Sequence, residues 1–164
     1  MADATTKLSG YLTTAATCLT TELDSLADNS HSSLGAEIDN STNKYALADF
    51  EVYLASAAFT GTDSGIELYI VPSVDGTNYP TWTTGTSDEQ ENTPYFVGFV
   101  PTTGTTATQR AVLRAVPLPQ GKWKPAVRSR ANVTLASSGN TVSWRPHSYL
   151  ADEAYSWLLP ASMR

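Results

Sequence analysis

Apolar and polar residues alternate along much of this chain, and this period of two residues is the feature that most constrains the fold. In the stretch ALADFEVYLA, Phe50, Val52 and Leu54 fall on one face of an extended chain, and Asp49 and Glu51 fall on the other. Successive side chains of a strand point to opposite faces of a sheet, so the pattern predicts a half-buried β-strand.

The same period recurs in five further stretches, which are IELYIVPSV, YFVGFVP, QRAVLRAVPLP, GKWKPAVRSRANV and NTVSWRP. It predicts that Tyr69 points outward, and that Val116 shares the face of Arg110 and Arg114. Pro125 interrupts its run, which predicts an edge strand or a bulge at that point, because proline cannot donate a ladder hydrogen bond.

Short strands separated by Gly, Asn, Ser and Thr turns, with no long helical pattern, predict an all-β protein. We expect an antiparallel β-sandwich with jelly-roll-like or immunoglobulin-like connectivity and with extended N- and C-terminal arms. Residues 1–44 form a strand-poor segment that joins the sandwich, residues 45–149 form its body, and residues 150–164 form a C-terminal tail or arm. Within residues 10–30, strand and helix both remain open.

Charge is divided unevenly along the sequence. Residues 1–91 hold fourteen acidic and two basic residues, whereas residues 92–164 hold eight basic and two acidic residues. A basic half can indicate nucleic-acid binding. These bases alternate with apolar residues, however, which favours strands of the two halves pairing so that their charges meet across a sheet. We therefore expect no nucleic-acid partner.

Few features of the sequence suggest chemistry. Cys18 is the only cysteine, so a disulfide framework and a multi-thiolate metal site are excluded. His31 and His147 lack metal-ligand spacing, and we interpret both as solvated surface residues. Ser41 and Lys44 match a short acylase pattern without its companion motifs. We expect no enzyme activity, no cofactor and no metal.

No export signal and no apolar run of about 20 residues is evident, so we expect synthesis in a cytoplasm and no membrane partner. Aromatic residues are the remaining candidates for binding. The strand period assigns Trp123 and Trp144 to the core, whereas Tyr79 and Trp82 lie in or beside a long polar loop. Aromatic side chains there suit sugar stacking, filling the open end of the sandwich, or packing on a neighbouring protein.

The C-terminal tail departs from the strand pattern and is rich in large apolar residues. Tyr155, Trp157, Leu158 and Leu159 lie in a stretch that must be covered, either by its own domain or by a neighbouring subunit. We therefore expect these four residues, with Tyr79 and Trp82 as further contacts, to bind a partner.

Several stretches together resemble a known group of proteins. They are TTAATCLTTELDSLADN, AEIDNSTNKYALADFEVYLA, IELYIVPSVDGTNY, QRAVLRAVPLPQGKWK and SGNTVSWRPHSY, of which VPSVDGTNY and VPLPQGKWK are the most distinctive. Over residues 10–149 the chain resembles small virion structural proteins of tailed bacteriophages, similar to capsid decoration (cement) proteins. The tail is not part of this resemblance.

The resemblance implies a structural protein of the virion that binds the outer surface of the phage head. Its implied partners are the major capsid protein and further copies of itself, as a homodimer or homotrimer. The alternative is a β-sandwich associated with the tail or baseplate, which would bind carbohydrate for host adhesion. A glycan is a partner only under that alternative.

Overall fold

The computed structural model describes residues 13–59, 64–85, 92–103 and 106–147. These residues form eight β-strands and two short 3₁₀-helices, at Thr21–Leu23 and Thr93–Tyr95. The strands are β1 (Ala16–Leu19), β2 (Ile38–Asp39), β3 (Leu47–Leu54), β4 (Gly65–Pro72), β5 (Phe96–Pro101), β6 (Gln109–Pro117), β7 (Lys122–Arg130) and β8 (Thr141–His147). The sequence leaves open whether residues 10–30 form a strand or a helix. The part of this range that the structure describes contains the strand β1 and one 3₁₀-helix.

The strands form two antiparallel four-stranded sheets, in the orders β1-β8-β3-β6 and β2-β7-β4-β5. The pairs β1–β8, β2–β7, β3–β6 and β4–β5 are nested antiparallel pairs, as if one long hairpin had been rolled up. This order is that of an eight-stranded jelly roll. The predicted antiparallel sandwich is confirmed, and the jelly-roll alternative describes its connectivity.

The core lies between the two sheets and is centred on aromatic side chains. Trp123 of β7 is fully buried, and its ring centroid lies 6.2 Å from that of Phe50 and 5.4 Å from that of Trp144. Phe50 and Trp144 are cross-strand partners in the opposite sheet. The inward positions predicted for Phe50, Trp123 and Trp144 are confirmed, because their rings meet between the two sheets.

Strand β6 departs from the predicted alternation. The pairing of β3 with β6 shifts between Phe50–Leu113 and Ala48–Val116, and Ala115 has a φ of 55°. The extra residue of this bulge turns Val116 into the core, so the prediction that it shares a face with Arg110 is wrong. The sequence gives little sign of the bulge, since alanine seldom adopts positive φ.

Pro125 lies in β7, which is an interior strand flanked by β2 and β4. The register with β4 runs through Ile70–Pro125 without a shift, so the predicted edge strand or bulge is wrong. Gly35 donates to the Pro125 carbonyl and the Ser32 hydroxyl accepts from the Val127 amide. The proline nitrogen therefore faces the irregular segment that precedes β2, where no ladder hydrogen bond is lost.

Candidate functional surfaces

The outward face of the sheet β1-β8-β3-β6, here called the open face, carries several charged side chains that contact one another across strands. Glu51 of β3 pairs with Arg110 of β6 at 3.4 Å, and both side chains are well exposed. The guanidinium of Arg110 also lies 5.2 Å from the centre of the Tyr53 ring. Val112, half exposed, lies between these charges on the same face.

Asp49 is the most buried carboxylate of the open face. Its Oδ1 accepts a hydrogen bond from the Ala115 amide at 2.8 Å, which holds the β6 bulge. His147 Nε2 lies 3.2 Å from the same oxygen, and Arg114 Nε lies 3.7 Å from Oδ2. One side chain thus joins three strands, and its role is to fix the sheet.

The outward face of the other sheet, here called the covered face, is partly covered by side chains from two irregular segments that extend the sheet beyond β7. His31 and Gly85 bond to each other through their backbones, and His31 also bridges to Arg128 of β7. The His31 side chain is 2% exposed and lies edge-on to Tyr69 and to Trp82, with centroid distances of 5.6 Å. The prediction that His31 is a solvated surface residue is wrong, because the rings of Tyr69 and Trp82 enclose its side chain.

Tyr69 points to the covered face as predicted, yet it is only 5% exposed. Its hydroxyl donates to Glu67 Oε2 at 2.8 Å, and its ring packs edge-on against Trp82 and Phe96. Arg130 also donates to Glu67, at 3.0 Å. These contacts make the face a second small core in which polar groups bond to one another.

Trp82, a predicted partner-binding residue, is therefore part of the covering layer. Its indole N–H donates to the Ser32 carbonyl at 2.8 Å.

Tyr79, which was also predicted to bind a partner, is half-buried. Its hydroxyl donates to Glu37 at 2.8 Å and its ring lies 4.5 Å from Lys124 Nζ. Loss of water contact, followed by the Glu37 hydrogen bond, raises the pKa of Tyr79 to about 12. The predicted residues Tyr155, Trp157, Leu158 and Leu159 lie outside the described residues.

The loop that starts at residue 73 begins with a tightly bonded turn. Asp75 Oδ1 accepts from the Thr77 and Asn78 amides at 2.8 and 2.7 Å. These hydrogen bonds, the Asn78 amide first, lower the pKa of Asp75 well below its usual range. The side chain therefore acts as an Asx-type turn former that holds the chain reversal after β4.

The ionic contacts support the predicted meeting of the two halves of the sequence. Salt bridges between described side chains join acidic residues of the first half to basic residues of the second half; the pairs are Arg110–Glu51, Arg114–Asp49, Lys122–Glu37, Arg128–Glu67 and Arg130–Glu67. The uneven division of charge along the sequence is thus balanced by contacts between its two halves.

Reactive groups are sparse in the part of the chain that the structure describes. Burial, and then the nearby Glu22, raise the pKa of the Cys18 thiol to about 12, so the sulfur is neutral near pH 7. Over the described ranges, no cluster of His, Cys, Asp and Glu has the arrangement of a metal site, and no helix has the length and apolar character needed to cross a membrane.

Comparison of the chain with protein-family models, with curated proteins and with solved structures finds no match.

Proposed function

We propose that this chain is a structural protein of a bacteriophage virion, a capsid decoration (cement) protein on the outer surface of the head. The observation that carries the proposal is the jelly-roll strand order, since jelly rolls are common in viral capsid domains. The resemblance of residues 10–149 to phage virion proteins points the same way. Because one fold serves many functions, the proposal also depends on what the surfaces can do.

The side chains on the two outward faces favour a structural role over catalysis. On the open face Glu51 and Arg110 are paired between strands, and on the covered face the little-exposed Arg128 lies against Glu67. Such pairing stiffens the sheets. A rigid body that bridges adjacent major capsid subunits gains effective concentration from the lattice, so weak individual contacts suffice. Self-association as a dimer or trimer would add to this multivalency.

The apolar tail is the proposed anchor to the capsid. Purified heads that lack this protein would be mixed with the full chain or with a variant carrying Trp157→Ser, Leu158→Ser and Leu159→Ser. We expect the variant to occupy about tenfold fewer sites at the same concentration, because three apolar contacts are lost from each interface.

The matched control is Val74→Ser, which removes an apolar side chain that is 96% exposed on the body. It should saturate heads as the unmodified chain does. Equal occupancy by the triple variant would exclude the tail as the anchor, and failure of the unmodified chain to bind heads would exclude the decoration role itself.

The second candidate is a carbohydrate-binding protein of the tail or baseplate, because lectin domains also use the jelly roll. Half-exposed Tyr79, beside Lys124, is the described aromatic residue that this candidate uses to stack on a sugar. Tyr79→Ala and Trp82→Phe should then abolish binding to a glycan array while head binding persists, with Tyr53→Ala as the control. An array without any bound glycan would remove this candidate.

A further inference from the structure

An apolar groove opens at one end of the sandwich and remains without a role in the proposed function. Its volume is about 360 Å³. The lining residues, none of them charged, are Ile70, Pro72, Pro94, Tyr95, Val97, Pro117, Leu118 and Pro119. Half of them are prolines, which present rigid apolar rings and no backbone N–H. The groove therefore suits an apolar occupant better than a polar one.

The groove lies between the two sheets, at the place where β4 and β6 end and β5 begins. Pockets that hold small drug-sized ligands start at about 300 Å³, so this space admits one or two large side chains. Its rim is half exposed at Tyr95 and Val97, so the entrance is open to an incoming segment.

The last described strand ends beside this groove. Leu47 pairs with Pro117 on one side and with His147 on the other, so the end of β8 is two strand spacings, about 10 Å, from the groove wall. Trp157 follows His147 by ten residues, and ten extended residues span about 33 Å. The tail is therefore long enough to enter the groove of its own chain.

The chemistry of the tail matches that of the groove. Residues 155–160 read YSWLLP, which contains three large apolar side chains, a tyrosine and no charge. A groove lined by prolines and aliphatic side chains can remove such a segment from water without stranding a charged group.

We propose that, in the free protein, the groove receives one or two of the large apolar side chains of residues 155–160 of the same chain, Trp157 among them. The intramolecular arrangement is favoured because a short connecting segment gives an effective concentration on the order of millimolar, above that of a second copy in dilute solution. The inference deepens the proposed function. Occupancy of the groove does not depend on the capsid role; only its consequence does, which is that the anchor stays covered until the capsid competes with the groove for the tail.

The test uses the purified full chain labelled with 5-fluorotryptophan, without any capsid. The chain has four tryptophans, and Trp157→Phe assigns the resonance of Trp157. We expect this resonance to show the small H₂O/D₂O shift of a buried ring. Tyr95→Glu, which places a charge at the groove, should give it the larger shift of a ring in water, whereas the control Val112→Glu on the open face should leave it unchanged.

Limited chymotrypsin digestion gives a second measurement. If the isolated tail binds the groove with a Kd near 0.1 mM, a millimolar effective concentration holds the tail bound about ten times as often as free. Cleavage at Trp157 should then be about tenfold slower in the unmodified chain than in Tyr95→Glu. This rate, like the fluorine shift, should not change on dilution.

Three results would overturn the inference. A Trp157 resonance that is solvent-like in the unmodified chain would show that the groove is empty. Protection that is insensitive to Tyr95→Glu would place the tail elsewhere. Protection that disappears on dilution, together with a dimer in sedimentation, would make a second copy the occupant. None of these depends on heads, so each is distinct from failure of the capsid proposal.

Discussion

The outward faces of the two sheets differ in what lies above them. The open face meets water and carries exposed ion pairs such as Arg110–Glu51, whereas the covered face is partly enclosed by irregular segments, so that Tyr69, His31 and most of Arg128 are buried there. Both faces contain similar kinds of residues, including arginine, glutamate and tyrosine. The comparison teaches that residue type alone does not determine how much a side chain contributes to the free energy of unfolding. The segments that cover the side chain determine it as well.

The largest difference is expected between Tyr69→Ala and Tyr53→Ala. Tyr69 packs against three aromatic rings, so its loss should lower the free energy of unfolding by about 4 kcal/mol. Tyr53 on the open face loses mainly its contact with Arg110, for which about 1 kcal/mol is expected. Urea denaturation of both variants measures the difference. Equal losses would show that the loops do not seal the covered face.

A second comparison concerns arginine in ion pairs. Arg128 has a side chain 7% exposed and lies 3.7 Å from Glu67, so Arg128→Met should cost about 3 kcal/mol of unfolding free energy, since a buried carboxylate loses a partner. Arg110→Met removes a pair whose arginine is 64% exposed, and less than about 1 kcal/mol is expected. Raising the salt concentration should weaken only the open-face pair. A salt-sensitive Arg128 contribution would contradict the distinction.

The open face has its own exception, Asp49. Asp49→Ala removes the acceptor of the Ala115 amide, so the free energy of unfolding should fall by about 2 kcal/mol. Glu51→Ala on the same strand should cost less than about 1 kcal/mol, because its pair with Arg110 is exposed. Thermal and urea unfolding of the two variants provides the measurement. Equal effects would mean that the β6 bulge needs no side-chain support.

The last expected effect is absent near pH 7, and it tests whether the open sheet closes the core as tightly as the covered one does. Cys18 faces inward on the edge strand β1, and burial raises its pKa from 9.0 to about 12. A raised pKa means that the folded state holds the proton more tightly. The resulting stabilisation is complete below pH 9 and is lost as the pH rises through about 12.

The unmodified chain should therefore lose stability relative to Cys18→Ala by about 1.4 kcal/mol per pH unit in that window. Urea denaturation of both proteins at successive pH values isolates this contribution, because other titrating groups are common to both. A difference that stays constant with pH would show that water reaches the thiol.

The sequence predicts the open sheet better than the covered one, for a physical reason. Phe50, Val52 and Leu54 alternate with residues that meet water, so the period of two is visible. Strand β4 is buried on both faces, and the residues that cover Tyr69 come from distant positions, among them His31 and Trp82. No local pattern connects these positions, so the buried His31 could not be predicted.

The candidate surfaces were predictable only in part, because nested strand pairs bring distant segments together. The aromatic residues Tyr79 and Trp82 were recognisable from the sequence, but the hydrogen bonds that engage them, to Glu37 and Ser32, depend on the packing of separate loops. The apolar groove was not predicted at all, since its walls come from three separate parts of the chain.

The most direct test of the proposed role is the number of copies of this chain in purified virions of a phage whose genome is found to carry this sequence, measured together with a density map of the intact particle. The decoration role predicts a copy number proportional to that of the major capsid protein, and a jelly-roll density repeated over the outer surface of the head. Density at the tail alone, or absence of the chain from the particle, would contradict it.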